Sequence, residues 1–410
     1  MKILIAAASF ASNMSGLQRH ALNVARCLLR EPEIDALHLV IAPWQRSFVQ
    51  AAGFLHNARI VTHVAEMDRS SLSRNLWYYR KLPELAGQLG VDLVHLTYPM
   101  PVNAAAFHCP TLVTLHDLYP YEIPMNFGFP KFIFNRIVLQ QCLRNIDAIA
   151  CVSDITLLRL RQYLPIAVWR KALRIYNCVE AEPIQNAQPP ITSLRDQPFL
   201  LCVAQHRRNK NIPLLIRTFH RFLRAGQVTP AMKLVIVGIP GPETRDIHCL
   251  VSTLGLGDSV RFLEGVSDSE LQWCYTHCEV VLSPSAVEGF GLPVSEALLA
   301  GCRIVCSDIP AFREVADGQC RFVTLERNAE EMLAAAIVAA LNDPKPSPKS
   351  MPQFSAPVLG RQYTSLYRKL ITSAIPSKNA TVAASINPAH RKGSLYGNDE
   401  QSVDLDAKGG

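Results

Sequence analysis

"VVLSPSAVEGFGLPVSEALLAG" occupies residues 280–301. It begins as an apolar run that stops at serine and proline, as a buried strand end does. Pro293 suits the first turn of a helix, and the chain from there through Glu296, Ala297 and Leu298 reads as that helix. Between strand and helix stand Gly289 and Gly291, which allow a sharp turn and a close approach of backbone to a ligand. Strand, glycine loop and helix form the unit of a parallel α/β sheet, whose ligands lie beyond the carboxyl ends of the strands. The free amides at such a helix start suit a diphosphate. Glu288 lies before the turn and Glu296 about one helical turn in, so two carboxylates flank an anion site. Being acceptors only, they call for hydroxyls rather than phosphate. A sugar nucleotide has hydroxyls on both sides of its diphosphate.

The same rhythm runs outward in both directions. "KILIAAA", "LHLVIA", "VDLVHLT", "PTLVTLH" and "DAIACVS" read as buried strands with helical stretches between most of them, such as "LQRHALNVARCLL" at 17–29. After a polar, proline-bearing stretch at Glu180–Gln197 the pattern restarts with "PFLLCVA", "MKLVIVG", "SVRFLE", "EVVLSPS" and "CRIVCSD". Apolar strands alternating with helices predict sheets covered on both faces. The fold class is therefore α/β, with two Rossmann-like parallel-sheet domains facing across a cleft. The expected boundaries are 1–179 for a first domain and 180–353 for a second. A helix over 354–373 follows, then a disordered tail over 374–410, polar and without period.

The 410 residues are 49% hydrophobic and 18% charged, as in a globular protein of two or three domains. No run of eighteen apolar residues predicts a membrane span. Twelve cysteines stand singly without a Cys-x-x-Cys pair, which fits a reducing, cytoplasmic setting. "CYTHC" at 274–278 lacks a second ligand pair at zinc spacing, so no metal site is expected. The net charge of +7 is modest and predicts no nucleic-acid partner, but it is unevenly spread. Between Asp154 and Glu180 there is no acid, while Arg159, Arg161, Arg170, Lys171 and Arg174 interleave with leucines. That stretch reads either as a solvated helix face or as a contact with an anionic membrane at the inner face of the cell.

"EGFGLPVSEALLAG" followed by "SDIPAFREV" resembles the signature of family 4 glycosyltransferases, retaining enzymes of GT-B fold that use nucleotide sugars. "SGLQRHALNVARCLL", "TLHDLYP", "ACVSDITLLRL", "RIYNCVE" and "LCVAQHRRNKNIPLLIRTF" resemble further family segments in order, and the likeness covers about residues 1–373. The resemblance implies that the first domain takes the acceptor and the second the donor, that the helix over 354–373 crosses back to the first domain, that Glu288 contacts the donor sugar near the reacting carbon and that Glu296 binds ribose hydroxyls. Backbone amides of Gly289, Phe290, Gly291 and Leu292 would face sugar and diphosphate. Lys210 would neutralise the diphosphate, with Arg207 or Arg208 assisting, and so stabilise the leaving group. Gly16 would let its loop approach the diphosphate, and His116 would lie near donor sugar and acceptor. Many family members have Gly-Arg where this chain has Ala204-Gln205, so one phosphate-binding cation is either missing or supplied by a neighbour.

The implied activity is transfer of a sugar from a nucleoside diphosphate sugar to a hydroxyl of a glycan or lipid-linked acceptor, in bacterial cell-surface polysaccharide synthesis. No cofactor or catalytic metal is expected, because Lys210 and the amides supply the compensating charge. The leaving phosphate is one candidate to take the acceptor's proton. Rival readings are a sugar-nucleotide epimerase or phosphorylase of the same fold, and a non-catalytic nucleotide-sugar-binding protein. A dinucleotide oxidoreductase is disfavoured, since "ASFASNMSGLQ" after the first strand has no Gly-x-Gly-x-x-Gly.

Overall fold

The structure is a computed structural model that describes residues 1–11, 15–50, 53–180, 187–316 and 318–384. Among them, thirteen strands form two sheets. The first contains β1 (Lys2–Ala6), β2 (Ala36–Ile41), β3 (Ile60–Val64), β4 (Leu93–Leu96), β5 (Thr111–Leu115), β6 (Ala148–Cys151) and β7 (Ala172–Arg174). The second contains β8 (Phe199–Val203), β9 (Lys233–Val237), β10 (Val260–Leu263), β11 (Val280–Ser283), β12 (Ile304–Ser307) and β13 (Arg321–Val323). The strand orders are β3-β2-β1-β4-β5-β6-β7 and β10-β9-β8-β11-β12-β13, and every pairing is parallel. Each order reverses direction once, between β1 and β4 and between β8 and β11. Such switch points open a crevice at the carboxyl ends of the strands. The expected α/β class with two Rossmann-like sheets is what the chain adopts.

Helices cover both faces of each sheet because strand side chains alternate sides. Ile3 and Ile5 join one apolar cluster with Leu93 and Leu112, while Leu4 joins the opposite one with Val94 and Val113. Three strands did not read as strands in the sequence: β3, β7 and β13. All three lie at sheet edges, and none is continuously buried. An edge strand keeps solvated side chains, so its sequence lacks the unbroken apolar run of a central strand.

Residues 1–371 form one compact unit. Within it the last helix begins at Ala356, and its Leu359, Tyr363 and Tyr367 pack with Ile3, Leu93 and Leu112 of the first sheet. Buried Tyr367 and His95 are joined at 2.7 Å between the hydroxyl and Nδ1. The helix runs through Ala384, longer than the expected 354–373, so the first part of the supposed tail is helical. The remainder of that supposed tail, 385–410, and residues 181–186 of the expected linker lie outside the described residues.

The basic stretch is largely engaged within the chain. Arg159 pairs with Glu122, and Arg174 lies 3.1 Å from Asp154 and over the ring of Tyr176. Lys171 donates to the carbonyls of Arg144 and Ile146, and Arg161 lies over Trp169. Among the described residues no helix is long and apolar enough to cross a membrane.

Candidate active site

The β8 and β11 loops build one end of the site. After β8 the chain makes a tight turn, Arg208–Lys210, ended by Asn211 in the left-handed region at φ 50°. The Asn211 side-chain amide donates to the Pro284 carbonyl at 2.9 Å, tying this turn to the loop after β11. Lys210 is thereby set against Glu288, and the two form an ion pair with both side chains largely buried. The hydroxyl of Tyr119, from the first half of the chain, donates to the other oxygen of Glu288 at 3.1 Å.

Glu296 forms the other end, on the helix Leu292–Leu299. Its carboxylate accepts from the Tyr275 hydroxyl at 2.8 Å and from Arg19 Nη1 at 3.3 Å. Arg19 lies on the helix Gly16–Leu29 of the first half, and its Nη2 also reaches Asp268 at 2.6 Å. Burial, reinforced by Glu296, holds the Tyr275 phenol well above its ordinary pKa, so it remains a donor. Each carboxylate is thus held by one cation and one tyrosine hydroxyl, and at each one of the two partners comes from the first half of the chain.

The glycine loop between them is pinned rather than free. Gly291 caps the Leu292–Leu299 helix at φ 109°, where a side chain would also strike the Phe312 ring. A Cβ on Gly289 would lie 1.7 Å from the His116 carbonyl oxygen. The close approach expected at Gly289 is therefore made to the chain's own first half, where the sequence suggested a ligand. The Gly289 carbonyl accepts from the hydroxyls of Ser153 and Thr156. Phe290 is buried with Tyr176 and Phe354, so only its backbone can serve a ligand. Leu292 opens the helix, and its side chain packs against the core of the second sheet.

His116 follows β5. Its Nε2–H donates to the Thr97 carbonyl at 2.8 Å, which leaves Nδ1 as an acceptor. Burial lowers its pKa to about 4, so the ring is neutral near pH 7. Arg207 donates through Nε to Gln205 at 2.7 Å, and its charge is felt at Asp117 and Tyr119 beside Glu288. The Gln205 that stands in place of the family arginine thus steers a neighbouring cation. Arg208 is exposed, and the structure does not bring it to either carboxylate. Gly16 is the exposed first residue of its helix, and a Cβ there meets nothing within 4 Å. The preceding residues 12–14 lie outside the described residues.

Four groups escaped the sequence reading: Arg19, Asp117, Tyr119 and Tyr275. Asp117 and Tyr119 sit in the quoted "TLHDLYP", one and three residues beyond His116, where the polar pair after a strand was the available signal. Arg19 and Tyr275 lie 277 and 21 residues from Glu296, and no local pattern marks them. Among the described residues no group of three or more His, Cys, Asp or Glu is placed to hold a metal ion.

The family model "Glycosyltransferase Family 4" matches residues 14–183, and "Glycosyl transferases group 1" matches 184–355. The O-antigen chain mannosyltransferase RfbU of Salmonella typhimurium is 24% identical over 311 residues, 73% of this chain and 80% of that protein. The O-antigen chain mannosyltransferase B of Escherichia coli is 23% identical over 365 residues, 84% and 91% of the two chains. In fold, the chain is similar to Anabaena HepE solved with UDP-glucose, at a TM-score of 0.60 and 17% identity, covering 94% of this chain and all of that one.

Proposed function

This chain belongs to glycosyltransferase family 4, and on that premise we propose that it moves a mannosyl group from a nucleoside diphosphate sugar to a hydroxyl of a glycan or lipid-linked acceptor, with the anomeric configuration retained. The observation that carries this reading is the paired setting of the two glutamates. Glu288 and Glu296 stand at opposite ends of the Gly289–Gly291 loop, each in an arrangement that hydroxyl donors can enter. Sugar hydroxyls would take the place of Tyr119 and Lys210 on Glu288, and ribose hydroxyls that of Arg19 on Glu296. Lys210, released toward the diphosphate and joined by Arg207, would meet the charge that builds on the leaving group. The mannosyl assignment rests on the two O-antigen relatives, and with it a place in cell-surface polysaccharide synthesis. A panel of nucleotide sugars screened for thermal stabilisation tests it. GDP-mannose should raise the melting temperature more than UDP-glucose, UDP-galactose or UDP-N-acetylglucosamine does. Equal or absent shifts would remove the mannosyl assignment.

The site is also proposed to work against an anionic membrane at the cytoplasmic face, through a broader surface than the stretch 157–174. Met125, Phe129, Phe134, Ile137, Leu158 and Ile166 are all exposed, Phe129 by 82%. From Lys131 to Arg174 the sequence has eight cations and two carboxylates, so most of the net charge of +7 sits there. Exposed apolar side chains among cations suit the headgroup layer. The surface starts at the site: the Asn126 amide donates to Asn209, next to Lys210, at 3.1 Å. The protein should sediment with vesicles containing anionic phospholipid, and the double variant Phe134→Ser, Ile137→Ser should stay in the supernatant. Failure of the unaltered protein to sediment would end this reading.

A further inference from the structure

We propose that Arg74 forms an anion-binding subsite for the acceptor: the saccharide that receives the sugar carries a phosphate, diphosphate or carboxylate close to its reacting hydroxyl. The inference rests on the glycosyl-transfer reading of the site and deepens it, by naming the chemical class of the acceptor.

The place is the switch point of the first sheet, between β1 and β4. At the matching point of the second sheet, the loops after β8 and β11 bring Lys210 to Glu288. A crevice of this kind is where an open α/β sheet takes a ligand. Ala8 and Tyr98 each stand two residues beyond their strand, and they meet there. The Tyr98 hydroxyl donates to the Ala8 carbonyl at 2.5 Å, and the Tyr78 hydroxyl donates to the same oxygen at 2.9 Å. Arg74, on the helix Ser71–Leu76, enters this corner. Its charge is felt at both phenols, and its guanidinium carbon stands 5.8 Å from the centre of the Phe10 ring.

What marks Arg74 is its lack of a counter-charge. Its Nε is buried without a hydrogen-bond partner, and among the described residues its side chain makes no hydrogen bond and no ion pair. The phenols supply no charge either. Burial holds the Tyr78 pKa well above its ordinary value and raises that of Tyr98 to about 12, so both are neutral near pH 7. Arg19 and Lys210, by contrast, each have a carboxylate. A guanidinium nitrogen taken out of water without an acceptor costs stability in the free protein. A phosphate or carboxylate matches the fork of guanidinium donors and recovers that cost.

The surroundings suit a saccharide. Phe10 is 52% exposed, and Trp44 is fixed beside it by donating from Nε1 to the Ser9 carbonyl at 2.9 Å. Aromatic faces with a few polar groups among them are the usual lining of a ligand site. The path to the reacting centre is short. Tyr98 follows Thr97, whose carbonyl accepts from His116 Nε2 at 2.8 Å, and the His116 carbonyl faces Gly289, next to Glu288. An acceptor hydroxyl that reaches the donor sugar therefore has its anion on the same or the adjoining sugar unit. A sugar joined to a lipid diphosphate has this form, and so does a sugar acid.

Titration calorimetry tests the subsite with GDP and UDP present at saturation, so that no probe enters the donor site. The probes are inorganic phosphate, pyrophosphate and glucuronate. At least one should bind the unaltered protein. Arg74→Gln should weaken that binding about tenfold or more, the scale of hydrogen bonds to a charged group, and Arg74→Lys should keep part of it. Tighter binding of pyrophosphate assigns a lipid diphosphate, and tighter binding of glucuronate a sugar acid. Without any probe, Arg74→Gln should melt no lower than the unaltered protein, because it removes an uncompensated cation; an arginine with a structural role would give a lower melting temperature. The proposal is overturned if no probe binds, if Arg74→Gln binds within twofold of the unaltered protein, or if its loss of binding comes with a lower melting temperature. A protein that binds neither nucleotide yet takes a probe through Arg74 loses the transferase reading and keeps the anion site.

Discussion

Arg19, on the first helix, and Glu296, on a helix of the second half, meet at 3.3 Å between Nη1 and Oε1, 277 residues apart in sequence. The guanidinium also holds Asp268, so one side chain fastens two helices of the opposite half. The pair uses the carboxylate assigned to ribose, which sets nucleotide binding and the joining of the halves in competition.

Glu296→Gln should therefore weaken donor binding about tenfold or more, the scale of hydrogen bonds to a charged group, with little change in kcat. Titration calorimetry with the nucleoside diphosphate alone reads this directly. A dissociation constant within twofold of the unaltered value would take Glu296 out of the ribose site.

Glu288→Ala should cut transfer at least a hundredfold, the scale on which deleting an electrostatic partner of a reacting centre acts, while circular dichroism stays unchanged. Near-normal turnover would deny Glu288 its place beside the donor sugar.

Lys210→Ala leaves Glu288 largely buried without its ion-pair partner. The variant should bind nucleoside diphosphate about ten- to a hundredfold more weakly and unfold at lower temperature. Adding Glu288→Gln should restore the melting temperature but not the affinity. A double variant no more stable than the single one would show that the pair does not set stability.

Gly289→Ala should destabilise the protein by about 3 kcal/mol, the upper range for overpacking, since its methyl would strike the rigid His116 carbonyl. Denaturant unfolding measures the effect. An alanine variant of unaltered stability would mean the two halves do not meet at this point.

Stability should fall on acidification below about pH 6.5. Burial lowers the pKa of His20 well below its usual value, of His95 to about 3 and of His116 to about 4. Their neutral forms are favoured by folding, so the unfolded chain takes up protons first as pH falls from 6.5 toward those values. Each contributes up to about 1.4 kcal/mol per pH unit in that window. Asp117, raised to about 6, acts in the opposite sense between about 6 and 4, and offsets one of the three. Unfolding midpoints that stay level from pH 7 to 5 would contradict the buried, neutral state of these rings.

The sequence by itself determined the α/β class, the central strands, and the order strand, glycine loop, helix with its two glutamates and Lys210. These are local properties: a buried strand is apolar along its length, and a helix start after a glycine turn needs particular residues at fixed spacing. The edge strands β3, β7 and β13 did not show, because a strand solvated on one side has no such unbroken run. Arg19, Tyr119, Tyr275 and Asp117 did not show either, because what makes each one part of the site is the neighbour it meets in space. Only the tertiary structure decided that Gly289 is required by the carbonyl of His116, and that each carboxylate is held by one cation and one phenol. Sequence patterns record the preferences of nearby residues for backbone geometry and burial. Contacts between the halves depend on how two finished sheets come together, which no spacing along the chain encodes.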